Sequence, residues 1–426
     1  MLTFYQTLFD HLPAFFIILA LTASTLYFLL KKYYYSIFDP LFFMLVINET
    51  FCITDVIFLY CFEMIDFYYF MNYLLTEGVL IWGILQFKPR FPQESASSSY
   101  FSPSLAALFK ISLPVYSCIN LFVYIQRGIP LFLESRTVVY AIGGGFGFFR
   151  RVSDVLLVII MYYILEVLRF RRWKPLEWIA LCIIVLVQIL SGAKAAVLIL
   201  VFTASLYCYF TGTLTTKNGI RIKHLTTKLT FASIGALFLI AQLQSSGSEM
   251  IGERRVNLLG QVAARLVMSG DALIYSYTDN KIESLSDQNP MGAMFREYLT
   301  FFRIAPPESL PKHLGVQITN QFLVQDSNFQ TNEKHNLVGY LYFGSWGSLL
   351  FSYIIGTIIG FVRYVLPNKC PQNWMIGIPF IILASNSVFA ISEPDGLHQA
   401  LLNLVVIFVP LTLGIKYLLE REHIKH

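Results

Sequence analysis

The sequence predicts an all-α polytopic membrane protein with about eleven transmembrane helices (range 10–12) and a large outer loop that contains short helices. Three observations carry this. Of 426 residues, 56% are apolar and only 13% are charged, about half the charge of an ordinary soluble chain. The apolar residues fall in long blocks with the charges gathered between them, and the mean hydropathy is +0.61. Lys and Arg are dense in every second inter-block segment. The same balance excludes a disordered chain and a nucleic-acid-binding domain, and it argues against a conventional soluble enzyme.

A helix needs about 20 mainly apolar residues to cross the hydrocarbon layer. Such blocks lie at roughly 12–30, 41–62, 67–87, 104–125, 153–168, 176–191, 195–212, 229–244, 338–362, 374–392 and 397–416. Barrel strands would be about ten residues long and alternating, so helices are expected. The first block lacks a basic start and a small-residue cleavage site and reads as a retained span. The second carries Asn48, Glu49 and Asp55, the third Glu77 and the fourth Lys110.

One set of connectors holds Lys31, Lys32, Lys88, Arg90, Arg169, Arg171, Arg172, Lys174, Lys217, Arg221, Lys223, Lys228, Arg363 and Lys369, and the tail adds Lys416, Arg421 and Lys425. These 17 basic residues mark the inner face. The alternate connectors are acidic where short, as in Glu63-Met64-Ile65-Asp66 and Glu393-Pro394-Asp395. The expected topology has the N-terminus outside and the C-terminus inside. The chain then divides into 1–244, helices one to eight with an outer loop at 126–152; 245–337, the large outer loop; and 338–426, helices nine to eleven with an inner tail. A connector of some 90 residues is far beyond the usual length and is expected to be functional. Within it, Val256 to Met268 and Met291 to Arg303 read as short amphipathic helices. The inner side offers only short basic segments and a Ser-rich linker at 95–99, so any chemistry should face outward.

Several chemistries lack their motifs. The six cysteines sit in apolar blocks or on the inner side, which leaves no disulfide framework and no Cys-x-x-Cys pair. Gly143-Gly144-Gly145-Phe146-Gly147 is not followed by the Lys-Ser/Thr of a phosphate loop. There is no His-Glu-x-x-His, no Gly-x-Ser-x-Gly and no Asp-x-Asp metal pair. No cofactor and no metal are expected.

The outer set of basic residues is more informative. It comprises Arg127, Arg136, Arg150, Arg151, Lys194, Arg254, Arg255, Arg265, Lys281, Arg296, Arg303, Lys312 and Lys334: nine Arg and four Lys, against seven Arg and ten Lys inside. The guanidinium fork binds phosphate or carboxylate in a bidentate way and keeps its charge when partly buried. Arg concentrated in two outer loops therefore points to an anionic substrate, most plausibly phosphate or pyrophosphate. The plainer alternative is pairing with acids such as Glu134, Asp154, Glu253 or Asp271. Arg254, Arg255 and Arg265 are expected to straddle one helix with their charges on one face, and Arg296 and Arg303, seven apart, to do the same.

His335-Asn336 closes the long loop at the expected outer edge of the ninth span. A His there can accept a proton or hydrogen-bond a phosphate, or it can simply pack among interfacial aromatics. Gly344 and Gly347 read as helix-packing positions rather than ligand contacts. Glu49, Asp55 and Glu77 must be paired or face a polar cavity. Glu49 and Asp55 project from opposite faces of one helix, which argues against a two-carboxylate site on it. Lys194, in the Ser191-Gly192-Ala193-Lys194 turn, is either a snorkelling anchor or a substrate contact.

With these residues in view, the chain resembles the bacterial O-antigen and capsule repeat-unit polymerases, the Wzy-type oligosaccharide polymerase family. The resemblance rests on Arg127-Gly128-Ile129-Pro130-Leu131-Phe132, on Ser191-Gly192-Ala193-Lys194, on the long Arg-bearing outer loop, and on His335-Asn336 leading into Gly344 and Gly347. Relatives often carry Arg at the turn where this chain has Lys194. The resemblance implies a membrane-embedded glycosyltransferase of the C type, in the bacterial inner membrane, with the 245–337 loop in the periplasm. Its activity would be joining undecaprenyl-pyrophosphate-linked oligosaccharide repeat units in lipopolysaccharide or capsule biosynthesis, without a metal if arginines neutralise the leaving pyrophosphate. On that reading His335 and Arg255 are the catalytic candidates. Arg136, Arg254, Arg265, Arg303, Asn336 and Lys194 contact substrate. The implied partners are the lipid-linked oligosaccharide, membrane lipid, a chain-length regulator and a flippase. The rival readings are an O-antigen ligase, a flippase for the same units, and a secondary transporter resting on the intramembrane acids. The absence of an internal repeat counts against the flippase.

Overall fold

A computed structural model describes residues 2–93, 102–133, 146–193, 196–215, 217–244, 250–251, 254–255, 267–285, 289–322 and 331–424. Among these the regular structure is helical, except for β1 (Met250–Ile251) and β2 (Arg254–Arg255), a short antiparallel pair with Met250 opposite Arg255. The leading helices are α1 (Leu2–Asp10), α2 (Leu12–Leu30), α3 (Phe42–Cys61, opening with the π-helical turn Phe42–Asn48), α4 (Phe67–Leu85) and α5 (Pro103–Arg127). After them come α6 (Phe146–Phe170), α7 (Pro175–Leu190), α8 (Ala196–Phe210) and α9 (Lys217–Gln244). Short helices α10 (Asp271–Tyr277), α11 (Pro290–Met294), α12 (Arg296–Phe301) and α13 (Leu314–Phe322) follow. The last are α14 (His335–Tyr364), α15 (Leu366–Lys369), α16 (Trp374–Phe389), α17 (Asp395–Asn403) and, beyond a second π-helical turn at Leu404–Phe408, α18 (Val409–Ile424).

Each of the eleven apolar blocks lies on helix. Among the described residues, five helical stretches are long and apolar enough to cross a membrane: Leu12–Leu30, Phe42–Cys61, Pro103–Phe132, His335–Lys369 and Asp395–Tyr417. Three more, Pro175–Leu190, Ala196–Phe210 and Trp374–Phe389, are apolar but shorter. The chain is thus an all-α membrane protein. Helix α6 starts at Phe146 rather than near 153, so Arg150 and Arg151 are helical and not part of the preceding loop.

The helices form two compact units that do not follow chain order. The first joins 1–89, 245–364 and 386–399. In it α4 and the long part of α14 run parallel, with Asn72 against Ser348, Leu80 against Gly356 and Ile84 against Gly360. Close approach explains the glycines. A Cβ on Gly356 would lie 2.1 Å from the Leu80 carbonyl oxygen, and one on Gly83 would lie 2.7 Å from that of Tyr353. Small residues that let backbones touch are the usual means of helix association in lipid. Of the two glycines expected to pack, Gly344 is corrected. A Cβ on Gly344 would meet nothing within 4 Å, whereas one on Gly347 would lie 2.3 Å from the Phe343 Cβ, so only Gly347 is a close-packing position.

Gly344 does something else. Its φ of +69° and ψ of −175° interrupt α14, in a region of backbone space essentially reserved for glycine. The chain folds back there. A Cβ on Gly339 would lie 2.9 Å from the Ser348 Cα, and His335 Nδ1 is 2.8 Å from Ser352 Oγ. In a straight helix residues 335 and 352 would stand about 25 Å apart. The ninth block is therefore a short leg, 335–343, tucked against a long one, 345–364. The remaining walls of the unit are α2 and α3, joined through Phe15 and Phe58, and the pair Arg363–Asp39 at the opposite end.

The second unit comprises 90–244, 365–385 and 400–426. Its axis is α8, which is buried continuously from Leu200 to Phe210, and α5 packs on α6 through Asn120–Ser153 (2.9 Å) and the stacked rings of Phe109 and Tyr163. Arg171 pairs with Glu177 at 2.6 Å beside the capped start of α7.

Candidate functional site

The folded-back leg brings the polar run Glu333-Lys334-His335-Asn336 into the first unit. Backbone bonds from Lys334 N to the Ser392 carbonyl and from His335 N to that of Ile391 hold it in place (2.9 and 3.1 Å). Non-helical backbone at membrane depth is tolerated when protein surrounds it, and here it does. Lys334 is fully buried. Its Nζ donates to Glu49 Oε1 (2.8 Å) and Ser392 Oγ (3.1 Å). Glu49 lies about 18 Å along α3 from Cys61, so Lys334 is not the outer-surface cation that its position in the sequence implies. Asn336 donates to Thr76 Oγ1 (2.9 Å) and Glu77 Oε1 (3.0 Å), and His335 Nε2 stands 3.4 Å from the same Glu77 oxygen.

His335 is thereby corrected from membrane-edge residue to buried one, with no exposed surface. Its ring is enclosed by Ser352 and Glu77, and a sugar hydroxyl has no access to it in this arrangement. Glu49 and Glu77 are engaged by the 334–336 run. For Asp55, neither carboxylate oxygen has a hydrogen-bond partner among the described residues. Glu49 and Asp55 do not form a joint site, as their spacing predicts.

One residue earlier, Glu333 turns toward a different set of groups. A cavity of about 20 Å³ is lined by His313, Glu333, Asp395, Arg296, Lys312 and His398, with Tyr342 and Phe351 among its apolar walls. His313 is the hub. Its Nδ1 lies 2.8 Å from Asp395 Oδ2 and 3.6 Å from Glu333 Oε1, and its Nε2 lies 3.6 Å from Glu297 Oε1. Asp395 is in the first turn of α17, Glu297 in that of α12, and His313 just precedes α13, so three short elements fix the constellation. The charged atoms of His313, Glu333 and Asp395 all fall within 4.8 Å of one another, a grouping able to hold a metal ion.

The electrostatics follow from this crowding. Burial, reinforced by the nearby charges of Asp395 and Glu393, pushes the Glu333 carboxyl up to about 8. Burial alone would lower the His313 pKa. The hydrogen bond to Asp395 and the charges of Glu333, Asp395 and Glu297 outweigh it and hold the imidazole above its usual value. The cavity thus combines an imidazole whose charged form is favoured by its acidic neighbours with a carboxyl whose neutral form is favoured by burial. Arg296 frames the rim by donating to the carbonyls of Leu310 and Pro311 (3.0 and 2.5 Å), and Lys312 is exposed.

Of the residues expected to contact phosphate, Arg136, Lys194 and Arg265 lie outside the described residues. Arg254 and Arg255 lie on β2 rather than at the start of a helix, and 256–266 is outside the described residues. The single helix expected over 291–303 is broken at Phe295 into α11 and α12. Arg303 falls in the turn beyond α12, exposed, with φ of +54°, so Arg296 and Arg303 do not share a helical face. Sequence reasoning missed His313, Glu333 and Asp395. The available signals were four consecutive polar residues heading an apolar block and the acids of Glu393-Pro394-Asp395. No family model, curated protein or solved structure matches this chain.

Proposed function

We propose that the protein is a Wzy-type repeat-unit polymerase, a membrane-embedded glycosyltransferase of the C type that joins undecaprenyl-pyrophosphate-linked oligosaccharides at the periplasmic face of the bacterial inner membrane. The observation that carries the reading is the cavity around His313. The described parts of the long connector belong to the first unit and bring His313 and Glu333 beside Asp395, and the residues next to Glu333 are anchored among α3 and α4. A site recessed into a helix bundle suits a substrate whose reacting sugar is tethered to a lipid.

In the reaction, an acceptor-sugar oxygen forms a bond to the anomeric carbon of the donor chain as the bond from that carbon to the pyrophosphate oxygen breaks. The acceptor proton passes to a base, for which the Glu333 and Asp395 carboxylates are placed. Positive charge must meet the departing lipid pyrophosphate, and Lys312 at the rim, with Arg254, Arg255, Arg265 and Arg303, is assigned to it; substrate contact by Arg136 and by Lys194 is proposed from the sequence alone. In this scheme His335 and Asn336 hold the run that presents Glu333. The eleven-span topology, with the N-terminus periplasmic and the C-terminus cytoplasmic, belongs to the same proposal. So do the chain-length regulator and the flippase as partners. The helical state of all eleven blocks and the parallel course of α4 and α14, third and ninth in the series, support it.

The test is the surface-glycan ladder of a deletion strain complemented with the wild-type gene or with Asp395→Asn. Collapse to a single attached repeat unit in the deletion and the variant is the expected result. Loss of all attached glycan would instead indicate a ligase, inner-face accumulation of lipid-linked units a flippase, and an unchanged ladder would remove the proposal.

A further inference from the structure

We infer that His313, Glu333 and Asp395 bind one divalent transition-metal ion. This goes beyond the proposed polymerase activity and stands on the geometry of the cluster whichever reaction the protein performs.

The donor set comes first. One imidazole nitrogen and two carboxylates converge from three separate elements, and their candidate ligand atoms lie within 4.8 Å of one another. With metal–ligand bonds of about 2.1 Å, neighbouring ligands in a tetrahedral or octahedral shell are roughly 3.0–3.4 Å apart. The two edges from His313 Nδ1, 2.8 Å to Asp395 Oδ2 and 3.6 Å to Glu333 Oε1, bracket that range. The adjoining cavity, at about 20 Å³, has room for one ion.

Two independent observations point to an occupant. Glu333 is more than nine-tenths buried and lines the cavity, and its contacts to Gly315 N at 3.5 Å and to His313 at 3.6 Å both use Oε1. On the far side of the imidazole, Nε2 faces Glu297 Oε1 at 3.6 Å, and that carboxylate oxygen also accepts from Gln399 Nε2 at 3.3 Å. A metal-bound histidine characteristically donates its second N–H to a carboxylate that fixes its tautomer and orientation. Here Nδ1 is left to the metal and Nε2–H to Glu297. A mixed nitrogen and carboxylate set of this kind suits Mn²⁺ or Zn²⁺ better than Mg²⁺ or Ca²⁺, which favour oxygen alone.

The experiment uses the full chain purified in detergent, stripped with EDTA and titrated with Mn²⁺, with free ion measured by electron paramagnetic resonance. One Mn²⁺ per chain is expected, with nitrogen modulation from a single imidazole in the pulsed spectrum, displaced by stoichiometric Zn²⁺. His313→Gln should abolish the nitrogen modulation, and Asp395→Asn should weaken binding more than tenfold. Glu297→Gln should weaken it by about 10–100-fold while keeping the modulation. Each variant is first shown to be monodisperse with wild-type tryptophan emission. Absence of saturable Mn²⁺ and Zn²⁺ binding to the wild-type chain, or binding undiminished in both His313→Gln and Asp395→Asn, overturns the inference. Neither result depends on polymer formation, so failure of the site and failure of the polymerase reading are separable.

Discussion

Replacing Lys334 by Met should be among the most damaging single changes in the first unit. The ammonium is fully buried and its closest contact is Glu49 Oε1 at 2.8 Å, itself 1% exposed. Met keeps most of the side-chain volume, so packing is nearly preserved and the effect is electrostatic. What remains is a carboxylate in a low-dielectric interior with its counter-charge removed, a loss of about 3–5 kcal/mol. Glu49→Gln strands the ammonium instead and should cost a similar amount. The double variant removes both charges. It should be much less destabilised than the sum of the single changes, giving a coupling energy of at least ~2 kcal/mol. Equilibrium unfolding in mixed micelles of increasing SDS, followed by tryptophan emission, reads these differences directly. A loss below ~1 kcal/mol for Lys334→Met, or strict additivity in the double variant, would falsify the buried pair and with it the folded-back course of residues 331–343.

Other expectations are shorter to state. Gly356→Ala places a methyl 2.1 Å from the Leu80 carbonyl oxygen and should cost ~1–3 kcal/mol in the same assay, whereas Gly78→Ala, with open space around it, should be neutral or stabilise by up to ~1 kcal/mol. Gly344→Ala meets no atom but must adopt φ of +69° and ψ of −175°; a loss of ~1–3 kcal/mol is expected, and an unchanged unfolding curve would argue for an unbroken helix. Arg363→Met leaves Asp39 buried without its 2.6 Å partner and should cost about 3–5 kcal/mol, again relieved by Asp39→Asn. Glu333→Gln should slow repeat-unit joining by roughly 100-fold or more at unchanged protein level, read from reconstituted lipid-linked substrate, and near-wild-type rates would relieve Glu333 of the role of base.

The helical blocks were legible because hydropathy is a local property: every apolar run of the expected length is helix. The course of the ninth block was not. Residues 338–362 read as one continuous apolar stretch, and the reversal is made at Gly344. Lys334 was grouped with surface cations because its partner Glu49 is 285 positions away in sequence. Within the candidate site, Glu333 and Asp395 were visible only as acids near apolar blocks, and His313 carried no local pattern at all. The packing glycines did leave a signal, Gly356-x-x-x-Gly360 inside an apolar run, whereas Gly344 and Gly347 drew attention by lying near His335.

The adjacency of Glu333 to the buried run 334–336 has a consequence for how such a chain can diversify. The run 334–336 is held by α3, α4 and the segment that follows α16, whereas the Glu333 side chain meets Gly315 and His313 of the connector that precedes it. Sequence change upstream of Thr331 is therefore constrained at His313 and Gly315, and change downstream of Glu333 at its partners in α3 and α4. Two sets of constraints thus meet within a single connector, at the peptide bond between Glu333 and Lys334.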